Sequence, residues 1–170
     1  PHVSNVLGTV FPIKEISEIA HENRAICVVD GCQGVTHMPV NIQDLNCDFY
    51  VFSGHKLFSS TGIGVVYGKY KLLDSMPPYQ GGGDMISQVT FEKTTYKAPP
   101  GRFEAGTPHI SGAIALAVSI GYLESLDRPA LLAHEHDLLD YATSLLSEME
   151  GITLYGTAKE KVSLVSFTVD

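Results

Sequence analysis

Residues 48–68 read DFYVFSGHKLFSSTGIGVVYG. Two apolar runs, 48–54 and 62–68, flank a small polar turn that holds a histidine and a lysine in succession. A short apolar run closed by glycine is the pattern of a strand buried on both faces. Residues 25–31, AICVVDG, repeat that pattern and close on Asp-Gly. Between them NIQDLNC, 41–47, predicts a short helical turn. Upstream, PIKEISEIAHEN at 12–23 sets Ile13, Ile16, Ile19 and Ala20 on one helical face with charges opposite. Pro12 suits a first helical turn. Helices alternating with buried strands predict an α/β layer fold, a mostly parallel sheet with flanking helices.

Beyond the third run the chain becomes rich in proline and glycine, from Met76 through PPYQGGG to APPGRFEAGTP at Pro108. A short strand is expected inside it at 87–91, and a connection this long usually carries function or meets a partner. Residues 110–126 predict a helix apolar nearly all round and therefore buried. Residues 129–149 predict an amphipathic one, and ITLYG and VSLVSFTV predict strands of another unit. A soft boundary at 127–129 divides the chain into 1–128, part of a large domain, and 129–170, the start of a smaller α+β domain. Both ends look cut: Pro1 runs straight into HVSN, and the chain stops on an alternating strand pattern. A piece of a longer protein is expected.

The 170 residues are 44% hydrophobic and 18% charged, an ordinary soluble globular balance. A net charge of −8 argues against a broad nucleic-acid surface but leaves room for a local phosphate site. No apolar run approaches the roughly 20 residues of a membrane span. Cys27, Cys32 and Cys47 are an odd number without CxxC spacing, which suits buried, reduced thiols and a cytoplasmic location. HEHD at 134–137 is no metal motif, because helical positions two apart point about 200° away from each other. No metal is expected. QGGGD at 80–84 lacks the lysine and hydroxyl of a nucleotide loop.

The chemistry gathers in the first half. Asp30 ends one strand, Gln33 follows three residues later, and Lys56 follows the next strand. In adjacent parallel strands these tips share one sheet edge. Carboxylate, amide and amine are the set that pyridoxal phosphate needs: a partner for the ring nitrogen, a donor for the phenolic oxygen and an amine for the aldehyde. Singly, each is ordinary. Asp-Gly makes turns, and a lysine after a strand is commonly solvated, as Lys69 and Lys71 are expected to be. The ordered set D-x-x-Q followed by S-x-H-K is far less common by chance.

VVDGCQ at 28–33, the stretch 48–68 and RFEAGTP at 102–108 resemble the class V, fold-type I pyridoxal-phosphate enzymes. The resemblance is strongest to the group II, SUF-type cysteine desulfurases and the related selenocysteine lyases. It runs from HVSNVLG at 2–8 to LYG at 154–156. It implies that Lys56 bonds the cofactor and then moves protons at the substrate α-carbon. Asp30 would pair with the ring nitrogen, Gln33 with the phenolic oxygen, and Ser53 and His55 with the phosphate. Asn5 would reach the cofactor or the substrate, and Thr107 the phosphate held by the other subunit of a homodimer. His2 receives no role.

The activity so implied converts L-cysteine to L-alanine. The sulfur is carried as an enzyme persulfide to an acceptor protein of iron–sulfur cluster assembly. L-selenocysteine, or another class V substrate, is the alternative. The persulfide cysteine and the substrate-carboxylate arginine of the family belong to its carboxyl-terminal part. Among the cysteines present, Cys27 and Cys47 are expected in the core, and Cys32 lies near the cofactor on a rigid element. Arg102 is expected in a structural ion pair beside Glu104 or in a dimer contact. The residues 1–170 alone are expected to be a folded module with little or no turnover.

Overall fold

A computed structural model describes residues 1–170. The first half is the α/β layer: α1 (Ile13–Glu22), β1 (Val28–Asp30), α2 (Gly34–His37), α3 (Ile42–Leu45), β2 (Phe49–Ser53), β3 (Gly64–Gly68) and α4 (Tyr70–Ser75). One three-stranded sheet has the order β1-β2-β3. β1 and β2 run parallel, with Val28 opposite Phe49 and Asp30 opposite Val51. The connection through α2 and α3 is long enough for a parallel return. β3 runs antiparallel to β2, Ser53 opposite Gly64, because residues 54–63 are too few for such a crossover.

One face of this sheet is much the better covered. Val29 and Tyr50 point into a core with Ile13, Cys27 and Cys47, and Phe52 and Val65 continue that face toward Leu57, Leu116 and Leu123. On the other face Val28 is 64% and Val66 66% exposed, so the expectation of strands buried on both sides does not hold here. Cys27 and Cys47 are core thiols, as expected.

The helices depart from expectation in the same way. α1 buries Ile13 and Ser17, while Ile16 and Ile19 are exposed. The helix can bury Ser17 because its hydroxyl donates to the Ile13 carbonyl at 2.7 Å. α5 (Ile110–Ser125) buries Gly112, Leu116, Ser119 and Leu123, a single stripe, and leaves Ile114 and Val118 exposed. It is apolar all round but covered on one side only.

Asp48, at the entrance to β2, is a buried carboxylate with three partners. The Cys27 amide donates to it at 2.8 Å, and His21 and Lys69 stand 2.9 and 3.0 Å away. Lys69 is thus a pinned residue rather than a free surface lysine. Burial alone would push the Asp48 carboxyl up, but these partners outweigh it and hold it below its ordinary value.

In the proline- and glycine-rich segment, β4 (Ile86–Val89) pairs antiparallel with β5 (Thr94–Tyr96), a partner that the sequence did not suggest. Arg102 ties this segment down. It donates to the carbonyls of Asp74 at 2.6 Å, Met76 at 3.1 Å and Lys97 at 3.1 Å, and its ion-pair partner is Asp74 rather than Glu104. α6 (Arg128–Ser147) opens on Asp127, whose carboxylate accepts from the Ala130 amide at 3.1 Å. β6 (Ile152–Tyr155) and β7 (Ser166–Val169) form a separate antiparallel pair. The linking residues return to the start of the chain, where the Val162 amide donates to Gly8 and the Val10 amide to Glu160.

Candidate functional site

The parallel register of β1 and β2 brings their carboxyl ends to one edge. Asp30 stands opposite Val51, two residues before Ser53, and the Gly31 amide extends the ladder by donating to the Val51 carbonyl at 2.8 Å. The turn that follows β1 needs its glycines. A Cβ on Gly31 would lie 1.9 Å from the Tyr50 ring, and one on Gly34 would lie 2.8 Å from the Tyr50 hydroxyl. The Cys32 amide donates to Asp30 Oδ1 at 2.9 Å, and this bond holds the Asp30 carboxyl below the usual carboxylate range. Asp30 is therefore an anion at neutral pH. Gln33, half-buried, stands at the N-cap of α2.

The second tip is the turn after Ser53. Gly54–Leu57 form one 3-10 turn, closed by Phe58 in the left-handed region at φ 62°. Gly54 is buried against Ile63, where a Cβ would come within 2.6 Å of Ile63 Cγ2, and Leu57 anchors the turn in the core. His55 and Lys56 between them are exposed. The Thr36 hydroxyl donates to the Lys56 carbonyl at 2.7 Å, tying the second tip to α2 and so to the first.

Cys32 lies between the tips, close enough to feel Asp30, the Ser53 backbone and the Lys56 charge. Burial and the Asp30 carboxylate push its thiol up, so it stays protonated in a turn locked by its own amide.

Asp30, Gln33, Ser53, His55 and Lys56 thus occupy one edge. The larger cavities lie elsewhere and are not lined by Asp30, Gln33 or Lys56. Asn5 is exposed in the turn after His2, whose amide donates to the Asp30 carbonyl at 2.7 Å, so its segment flanks the same edge. Thr107 does not join them. It lines a cavity of about 300 Å³ with Gly83, Asp84, Gly106 and Pro108. No three His, Cys, Asp or Glu side chains come together as a metal site.

These residues fit the cofactor that the sequence implies. Pyridoxal phosphate asks for an anion at its ring nitrogen, an amine at its aldehyde and donors at its phosphate. An amide-held carboxylate, an exposed lysine and a hydroxyl with an imidazole beside it answer to that set, on two turns kept tight by glycine. One pair was missed in the sequence. His2 and Tyr50 share a buried hydrogen bond of 2.9 Å directly under the Gly31–Gly34 turn. Two polar residues inside apolar strand patterns, beside a D-G-x-x-G turn, were the available signal.

The class-V aminotransferase family model matches residues 1–170. A cysteine desulfurase of Synechococcus elongatus is 50% identical over 168 residues, 99% of this chain and 27% of that protein. A probable cysteine desulfurase of Halalkalibacterium halodurans is 50% identical over 169 residues, 99% of this chain and 41% of that protein. The chain therefore spans well under half the length of these relatives. Among solved structures, the cysteine desulfurase CsdA of Escherichia coli superposes with a TM-score of 0.93 at 36% identity, over 99% of this chain and 42% of that one.

Proposed function

The chain belongs to the class-V aminotransferase family, and from that premise we propose that it holds the cofactor-binding strand tips of a pyridoxal-phosphate-dependent cysteine desulfurase. The observation that carries this reading is the parallel pairing of β1 with β2, which sets an ionised Asp30 and an exposed Lys56 on one edge. Relatives at 50% identity named as cysteine desulfurases support the substrate, L-cysteine.

Bound pyridoxal phosphate supplies an electron sink for negative charge at the substrate α-carbon. Asp30 keeps a proton on the ring nitrogen, and the Cys32 amide keeps Asp30 anionic so that it can do so. Lys56 Nζ would hold the aldehyde end and, once the amino group of L-cysteine replaces it there, would take the proton from the α-carbon. The Gln33 amide would donate to the phenolic oxygen, Ser53 and His55 would hold the phosphate, and Asn5 would reach in from the flanking segment.

Sulfur leaves by thiolate attack. A second cysteine forms an S–S bond to the substrate sulfur as the C–S bond breaks; protonation of the carbon leaves L-alanine. The sulfur stays as a persulfide until an acceptor protein takes it. Cys32 is a poor candidate for that nucleophile, since its thiol is pushed up and its turn is fixed. Thr107 serves a second copy in a homodimer. A reducing cytoplasm suits the buried Cys27 and Cys47.

The test is borohydride reduction of the whole protein, at the length of its relatives, after addition of pyridoxal phosphate, followed by peptide mapping and an alanine assay with L-cysteine. Label on Lys56 with alanine formation is the expected result. Label spread over Lys14, Lys69 and Lys71, with no alanine, would overturn the reading.

A further inference from the structure

His2 and Tyr50 are the most enclosed polar pair near the site, 3% and 1% exposed. Their rings meet edge to face at 5.8 Å between centroids, and His2 Nδ1 and the Tyr50 hydroxyl are 2.9 Å apart. Both glycines of the Asp30–Gly34 turn rest on them. Any Cβ on Gly34 would lie 2.8 Å from His2 Nδ1 as well as from the Tyr50 hydroxyl. The His2 amide also donates to the Asp30 carbonyl at 2.7 Å. The pair thus touches the turn at its first residue, at Gly31 and at Gly34, while the Tyr50 ring also packs in the core. Burial holds the His2 imidazole below its ordinary value, so it is neutral at pH 7, and burial pushes the Tyr50 hydroxyl up, so it keeps its proton.

Resting on the function proposed above, we infer that His2 and Tyr50 form a positioning pair that fixes the Asp30–Gln33 turn, and with it the carboxylate and amide presented to pyridoxal phosphate. A buried hydrogen bond under the two glycines of the turn, which have no side chains of their own, acts as its floor. Removing the hydroxyl leaves the floor in place but frees it to tilt.

The experiment compares Tyr50→Phe, His2→Ala and His2→Asn in the full chain. Asn keeps a polar group near the position of Nδ1. Without cofactor, the Asp30 carboxyl is titrated by carbon-13 NMR. With cofactor, release of pyridoxal phosphate after dilution and the pH at which its bound visible band titrates are followed beside the thermal midpoint. In Tyr50→Phe and His2→Ala, Asp30 is expected to titrate closer to an ordinary carboxylate and release to quicken about tenfold, the effect of one buried hydrogen bond. His2→Asn is expected to restore both. An Asp30 titration unchanged in all three variants would overturn the positioning role, even if the thermal midpoints fell. Should Tyr50→Phe fail to fold, the contrast between His2→Asn and His2→Ala decides the matter. Absence of cofactor uptake at Lys56 in the unsubstituted chain would instead sink the proposed function, leaving the Asp30 titration to judge the pair by itself.

Discussion

Asp30 and Lys56 are asked to do different things, and the structure equips them differently. Asp30 accepts from the Cys32 amide and is held anionic, whereas Lys56 stands exposed on a short turn. Replacing the carboxylate by an amide keeps the shape and removes the charge. In the whole protein, Asp30→Asn is therefore expected to leave Lys56 able to take up cofactor but to lower turnover by about a hundredfold or more, the usual effect of losing a preorganised charge. Steady-state alanine formation beside borohydride labelling separates the two effects. Near-normal turnover would contradict the role given to Asp30. Asp48 offers a pH test free of catalysis. Its folded pKa is depressed, so its stabilisation is present above the unfolded value of about 4 and is lost as pH falls through the folded one. Asp48→Asn should cost about 2 kcal/mol at pH 7, and the gap from the unsubstituted chain should close below about pH 4. Urea unfolding at both pH values measures it; a gap independent of pH would contradict it. Asp30 and Lys56 were legible in the sequence because chemistry is written in residue type, whereas the Asp48 network was not. His2 and Tyr50 were not, because what gives them meaning is a packing contact with two glycines 29 to 32 residues from His2 in sequence.

The turns show why element identity was easier to read than element surroundings. The apolar runs marked β1, β2 and β3 correctly as strands, yet not which faces would be covered. Periodicity in α1 favoured Ile16 and Ile19, but the helix instead buries Ser17, which supplies its own acceptor through the Ile13 carbonyl. Glycine carries information that composition hides. Gly31 and Gly81 look alike in sequence, yet a Cβ on the first would strike the Tyr50 ring while the second faces open space. Gly31→Ala is expected to destabilise the chain by about 1–3 kcal/mol through overpacking, and Gly81→Ala by much less. Thermal or urea unfolding of the two variants checks it. Equal effects would mean that the β1–α2 turn can relax away from Tyr50, and that the site it carries is not rigid.

Across the whole molecule, the position of Thr107 makes the sharpest demand. It lines the cavity beside Gly83 and Asp84, which Lys56 does not line. On the proposed reading, in which Thr107 binds the phosphate held by a second copy, two copies of the chain build each site. That geometry gives a complementation test. A Lys56→Ala chain and a Thr107→Ala chain should each retain pyridoxal phosphate poorly. Mixed and allowed to exchange, they form dimers in which one site combines both lesions and the other has neither. That second site has its Lys56 from the Thr107→Ala chain and its Thr107 from the Lys56→Ala chain. Heterodimers should then hold one cofactor per pair with the release rate of the unsubstituted protein. A site built within one chain predicts the opposite, since every Lys56 present would still sit with a Thr107→Ala lesion and no tight site could reappear. Cofactor stoichiometry on tagged heterodimers reads the difference directly. Recovery can come only from residues contributed in trans, so a failure to recover in verified heterodimers would remove Thr107 from the shared site.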